Sequence, residues 1–258
     1  MKETTIIEIE EINPKEAVLI EGLPGLGLVG KIAVEYLVKQ LNARKVAEVY
    51  SPHFAHYVLV NNEGILRLLR LEFYYWNGGE DGYDLILLTG DCQAQTIEGQ
   101  YEVADVIFDY ARRKNVSLII TLGGYQKEVK DTPQVFVSAT DRKLLDAALQ
   151  LGAKNSPSGS PIIGAAGILV GLAKFKRMNA LCLLAETYGN RPDPKASKSL
   201  LNLLSEMLHI GVDLSDLERE IFRYEQMRER IRKMQEQRRM LERRRQRTEE
   251  EEKIFYIS

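Results

Sequence analysis

Residues 213–258 hold thirteen Lys/Arg and twelve Asp/Glu side chains. A stretch so charged cannot be taken into a core, because each unpaired ion moved out of water costs several kcal/mol or neutralises instead. It reads as one long helix standing off a globule. Opposite charges recur at i,i+3: Glu220–Arg223, Glu225–Arg228, Glu229–Arg232, Glu236–Arg239 and Glu242–Arg245. Each such pair adds about 0.2–0.5 kcal/mol to an exposed helix. Ser215-x-x-Glu218 has the form of a capping box, and Gly211 is placed to end the helix before it. Leu214, Leu217, Ile221 and Tyr224 form an apolar seam expected to anchor the base of the arm. A helix continuing to about Glu252 would span roughly 60 Å at 1.5 Å per residue. The end is apolar again: Ile254-Phe255-Tyr256-Ile257-Ser258. The chain therefore divides into an α/β core domain, residues 1–211, and a C-terminal helical arm and tail, residues 212–258.

The core alternates strand-like and helix-like segments. Thr5 to Glu11 alternates in polarity, and Ala17 to Glu21 is a short apolar run. Lys45 to Tyr50, Gly64 to Tyr75, Tyr83 to Thr89, Ser117 to Leu122 and Ala180 to Glu186 read as further strands. Helices are expected over Thr96 to Lys114, with Val103, Val106, Ile107 and Tyr110 on one face, and over Asp141 to Leu151 with Asp141 as N-cap. Asp193-Pro194 starts another, with Asp at the cap and Pro at the first helical position. This order predicts an α/β fold in three layers, a mainly parallel or mixed sheet with helices on both faces, plus the long charged C-terminal helix.

Composition narrows the function classes. No apolar run approaches the length a membrane span needs, and no signal sequence is read at the start, so a cytoplasmic location is expected. Cys92 and Cys182 lie in or beside apolar segments without a CxxC pair, so neither a zinc ribbon nor a disulfide framework is expected. His53-x-x-His56 is a poor metal pair: in an extended strand that spacing turns the rings to opposite faces. Gly25-x-Gly27-x-x-Gly30 has the dinucleotide spacing, and Gly25 to Lys31 resembles a P-loop whose Mg²⁺-binding Ser/Thr position holds Ile32 instead. Gly25, Gly27, Gly30 and Lys31 thus form a possible anion loop, set against a plain close-packed strand–helix turn. Asp91, Gln93 and Glu98 after one strand, with Glu186 and Asp193 after another, are placed to line a pocket at strand ends. They include no base–nucleophile pair. The basic stretch Arg238 to Arg247 is interleaved with Glu and lacks stacking aromatics, which argues against nucleic acid.

Four segments occur in order: Gly22-Leu23-Pro24-Gly25-Leu26-Gly27-Leu28-Val29-Gly30; Thr121-Leu122-Gly123-Gly124-Tyr125; Gly159-Ser160-Pro161-Ile162-Ile163-Gly164-Ala165-Ala166-Gly167; and Glu186-Thr187-Tyr188-Gly189-Asn190-Arg191-Pro192-Asp193-Pro194. Together, over about residues 5 to 210, they resemble the proteasome assembly chaperone 2 family, in particular its archaeal Pba-type homologues. The resemblance implies a phosphorylase/hydrolase-like sheet-and-helix core without established catalysis and with no cofactor. It further implies homo-oligomers, a ring or cluster of about four or five subunits, and contact with the proteasome α-ring. Proteasome-binding members use a tail whose penultimate residue is tyrosine; here Tyr256 is third from the end. That displaces the carboxylate by about 3.3–3.6 Å in an extended chain.

The expectation is therefore a non-enzymatic, homo-oligomeric assembly chaperone or scaffold. Its arms would offer Phe255, Tyr256, Ile257 and Ser258 to a protein partner such as the proteasome α-ring. No catalytic residue and no metal site is assigned. The alternative is a nucleotide- or nucleoside-binding protein, or an enzyme, using the Gly25–Lys31 loop.

Overall fold

Thr5–Glu8 (β1) is a largely exposed edge strand, whereas Ala17–Glu21 (β2) is buried at all five positions. That contrast already separates rim from centre, since only a strand covered on both faces can be apolar without alternation. The computed structural model describes residues 1–79, 82–129, 132–223, 225–227, 230 and 234. The chain falls into two compact units, Met1–Asp213 and Leu214–Ser258.

In the first unit the chain continues through Val29–Gln40 (α1), Arg44–Tyr50 (β3), Val58–Val60 (β4), Leu66–Leu68 (β5), Leu71–Trp76 (β6) and Asp84–Gly90 (β7). Then follow Ile97–Arg113 (α2), Val116–Gln126 (β8), Val135–Ala139 (β9), Arg142–Gln150 (α3), Lys154–Asn155 (β10), Ala165–Phe175 (α4), Asn179–Thr187 (β11) and Pro194–Leu208 (α5). Among the described residues, nine strands form one sheet in the order β1-β3-β6-β7-β2-β8-β11-β9-β10, and β4-β5 is a separate hairpin. The four central strands β7, β2, β8 and β11 are parallel, and antiparallel pairings flank them on both sides. Helices α1, α3 and α5 cover one face; α2 and α4 cover the other. The three-layer α/β reading is thus the observed architecture.

Packing follows from the side chains. Leu19, Ile86, Leu88, Ile107, Phe108 and Leu169 meet in one cluster between the sheet and the α2–α4 layer, and each fully buried side chain of this type contributes about 1.5–3 kcal/mol. Three helix starts carry their caps in place. Thr96 accepts from the Gly99 N–H, Asp141 from Lys143 and Leu144, and Asp193 from Ala196.

Several local expectations change, among them the strand read over Gly64 to Tyr75, which is two strands, β5 and β6, in different sheets. Gly123-Gly124-Tyr125 does not end the strand after Leu122: β8 runs on to Gln126 because β11 pairs with it residue for residue up to Thr187. β9 escaped the sequence reading because its five residues follow a polar loop. Helix α5 stops at Leu208 with His209 in the left-handed region at φ 52°, two residues before Gly211.

In the second unit, residues 215–223, 225–227, 230 and 234 are helical. Leu217 is buried, and Leu214 and Ile221 are half-buried. Tyr224, and the tail residues Phe255, Tyr256, Ile257 and Ser258, lie outside the described residues.

Candidate functional site

Open parallel sheets leave a crevice where their strands end and the chain turns away to either side. Here the carboxyl ends of β2, β8 and β11 open onto a cavity of about 670 Å³, within the range of small-molecule pockets. Its lining comes chiefly from the glycine loop after β2, the end of β8, the Ser160–Gly164 approach to α4 and the loop after β7, with Gln100 of α2 and Leu184 of β11 completing it.

The glycine loop is built by close approach. A Cβ on Gly30 would lie 2.2 Å from the Leu122 carbonyl oxygen, and one on Gly22 would lie 2.2 Å from the Gly30 carbonyl oxygen. Glycine at both positions lets the first turn of α1 ride directly over the strands. Gly25 and Gly30 line the cavity. Gly27, at φ 61°, turns toward Thr187 and Asp193 instead. Its N–H donates to Gly189 O at 3.2 Å and its carbonyl accepts from the Asp193 N–H at 2.8 Å. Lys31 Nζ donates to Gly90 O at 2.7 Å and pairs with Glu35 at 2.7 Å, so its charge is engaged within the fold.

Of the polar residues placed at strand ends, Gln93 is the one that lines the cavity. Its Nε2 donates to Pro24 O at 2.8 Å and its Oε1 accepts from the Ala165 N–H at 2.9 Å. One side chain thereby ties the loop after β7 to the glycine loop and to the start of α4. The others have structural duties. Asp91 takes a two-point grip from Arg67 and accepts the Arg70 N–H at 3.0 Å. Burial raises the Asp91 pKa, but the Arg67 and Arg70 bonds outweigh it and hold the carboxyl below its ordinary value. Glu186 behaves alike: burial raises it, while the Lys127 ammonium at 2.7 Å and the Gln134 N–H prevail and lower it. Asp193 caps α5 and accepts from Thr187 Oγ1 at 2.8 Å. Glu98 is exposed in the first turn of α2.

His53 and His56 lie in a turn rather than the strand assumed from sequence. His53 Nε2 is 3.2 Å from Glu102 and its Nδ1 is 3.0 Å from Thr96 Oγ1, a clamp between this turn and α2. Among the described residues no group of three His, Cys, Asp or Glu side chains is arranged to hold a metal ion. No helix among them is long and apolar enough to cross a membrane.

The residue missed by sequence reasoning is Glu21. It terminates the most buried strand and is 1% exposed. Its Oε1 accepts from the Leu23 N–H at 3.0 Å, while Oε2 has no hydrogen-bond partner among the described residues. Burial pushes the carboxyl up to about 8 against the weaker opposing pull of the Leu23 N–H, so it is a neutral acid at pH 7. Glu21 forms part of the cavity lining. The available signal was an acid closing an otherwise apolar run, immediately before a glycine turn.

Known proteins align with this chain along most of its length. The sequence profile of the PAC2 family matches residues 19–235. An uncharacterized protein of Methanocaldococcus jannaschii is 30% identical over 232 residues, covering 89% of each chain. Among solved structures, PbaB of Pyrococcus furiosus, described as an archaeal proteasome activator, is 36% identical with a TM-score of 0.86, covering 90% of this chain and 100% of its own. PbaA of the same organism, described as an archaeal homolog of proteasome-assembly chaperone, is 30% identical with a TM-score of 0.75, covering 94% and 98%. With a family profile spanning most of its residues and relatives matched nearly end to end, the chain belongs to the PAC2 family.

Proposed function

We propose that this protein is a non-enzymatic, homo-oligomeric proteasome partner, an assembly chaperone or activator, which presents its C-terminal arms to the proteasome α-ring in the cytoplasm. The observation that carries this reading is the match to PbaB over that chain's whole length at 36% identity. Within the proposal, the activator role has the stronger support, since PbaA matches at lower identity and lower TM-score. The non-enzymatic part draws support from Lys31 of α1 and the strand-end groups Asp91, Glu186 and Asp193, each held in bonds within the fold.

For homo-oligomerisation we assign a surface. In the hairpin, Val58 pairs with Leu68 and Val60 with Leu66, and antiparallel partners share a face. All four are exposed, by 45–62%, while Leu59 and Arg67 between them turn inward to the core and to Asp91. We propose this exposed apolar ribbon face as the contact surface for a second copy of the chain. Several arms on one oligomer then gain avidity, because each later tail binds at an effective concentration set by the first.

The test uses purified archaeal proteasome. Full-length protein should be retained on immobilised 20S particles, and deletion of residues 254–258 should weaken retention about tenfold or more without changing the oligomer's mass. Peptidase stimulation of finished particles supports the activator role; faster assembly of separated subunits supports the chaperone role. Equal retention of the truncated and full-length proteins would remove the tail from the proposal.

A further inference from the structure

Strand register puts three polar side chains side by side at the centre of the sheet. Glu21 of β2 pairs with Thr121 of β8, which pairs with Cys182 of β11. Parallel neighbours in register point to the same face, and that face is covered by α4. Thr121 Oγ1 donates to Ala166 O at 3.2 Å in the first turn of that helix. Cys182 is fully buried, and burial pushes its thiol up to about 12. Only the Glu21 end of the row reaches the cavity.

The cavity has an unusual balance. Its walls are mainly apolar, with Leu23, Leu26, Leu122, Leu184, Ile162 and Tyr125, and Gln100, Gln126 and Ser160 add uncharged polar groups. Among the described residues of the lining, Glu21 is the single carboxylic acid, and no Lys, Arg or His joins it. Leaving a buried polar atom unpaired costs about 1–3 kcal/mol. An apolar residue in its place would leave the Leu23 N–H unpaired but would bury no second oxygen, so nothing within the described fold accounts for Glu21 Oε2.

We propose that this cavity is a binding site for an uncharged small molecule, largely apolar, whose amide carbonyl or ring nitrogen accepts a hydrogen bond from the Glu21 carboxyl. An anion finds no cationic side chain among the described lining residues. A cation would face the positive end of α4, whose Gly164 and Ala166 border the same space. The raised Glu21 pKa keeps the proton, and hence the donor, in place at neutral pH. This site is independent of the proteasome reading and survives if that reading fails.

Four probes of one size separate the chemistries: benzamide, benzylamine, benzoate and toluene. Each is titrated against the full-length protein near neutral pH by ligand-observed NMR, with Glu21→Gln and Glu21→Leu in parallel. Neither substitution introduces a buried charge, and denaturant unfolding of each variant establishes that it is folded. Benzamide is expected to bind most tightly, to lose about tenfold or more in Glu21→Leu, and to lose less in Glu21→Gln, whose amide still donates. The proposal is overturned if benzamide does not bind, if toluene, benzylamine or benzoate binds as well, or if Glu21→Leu binds benzamide unchanged.

Discussion

Replacing Glu21 by Gln should make the protein more stable at neutral pH and leave it nearly unchanged in acid. Glu21 titrates at about 8 in the fold against 4.5 for an ordinary glutamate. Between those values the folded chain therefore holds a proton that the unfolded chain has released. Stability is then fully retained below about 4.5 and falls as pH rises toward about 8, above which the loss is complete. From 4.5 to pH 7, at 1.36 kcal/mol per pH unit, the loss is about 3 kcal/mol. Glutamine cannot ionise, keeps an acceptor for the Leu23 N–H, and has nearly the same volume. Its gain at pH 7 should thus approach about 3 kcal/mol, shrinking to near zero close to pH 4. Guanidinium unfolding of both proteins across this pH range, at one protein concentration so that oligomer mass action cancels, reads the difference directly. A gap that does not change with pH, or a Gln variant less stable at pH 7, refutes the account of Glu21 as a buried neutral acid.

Two further substitutions probe packing and assembly. Gly30→Ala forces a methyl into the Leu122 carbonyl, and guanidinium unfolding should show a loss of about 1–3 kcal/mol or more; an unchanged midpoint would mean that α1 can lift off the strands freely. Leu66→Lys with Val60→Lys puts two charges on the hairpin's outer face, and sedimentation should show a smaller assembly with the unfolding free energy of the subunit altered by no more than about 1 kcal/mol. Persistence of the wild-type mass would place the subunit contact elsewhere.

The sheet's centre was legible because burial on both faces leaves an unambiguous mark: β2 and β7 are continuous apolar runs, and helix starts at Asp141 and Asp193 carry caps that the structure puts to use. The end of β8 was not, because Gly123 and Gly124 look like a turn in isolation. What holds them extended is pairing with β11, sixty-one residues away at Leu184 and Ala185, a tertiary effect that overrides local preference. The strand-end carboxylates misled for a related reason. Asp91 and Glu186 satisfy the spacing of pocket acids, yet Arg67 and Lys127, distant in sequence, claim them. Glu21 was passed over because a single acid at a strand end is ordinary in sequence; only its missing partner makes it unusual.

That contrast bears on how this fold carries function. Asp91 and Glu186 are paired by cations within the fold and are accounted for by stability, and the bonds that hold them lower their pKa. Glu21 goes the opposite way: it costs stability at neutral pH, and the Leu23 N–H bond to Oε1 offsets that cost only in part. A residue that destabilises the very strand around which the sheet is built is retained most simply for what it does when something occupies the cavity. If an occupant binds the folded chain and supplies the missing acceptor, it stabilises the core by mass action. The gap between Glu21→Gln and wild type at pH 7 should then close as benzamide is added, because benzamide binds the protonated wild-type acid more tightly than the amide.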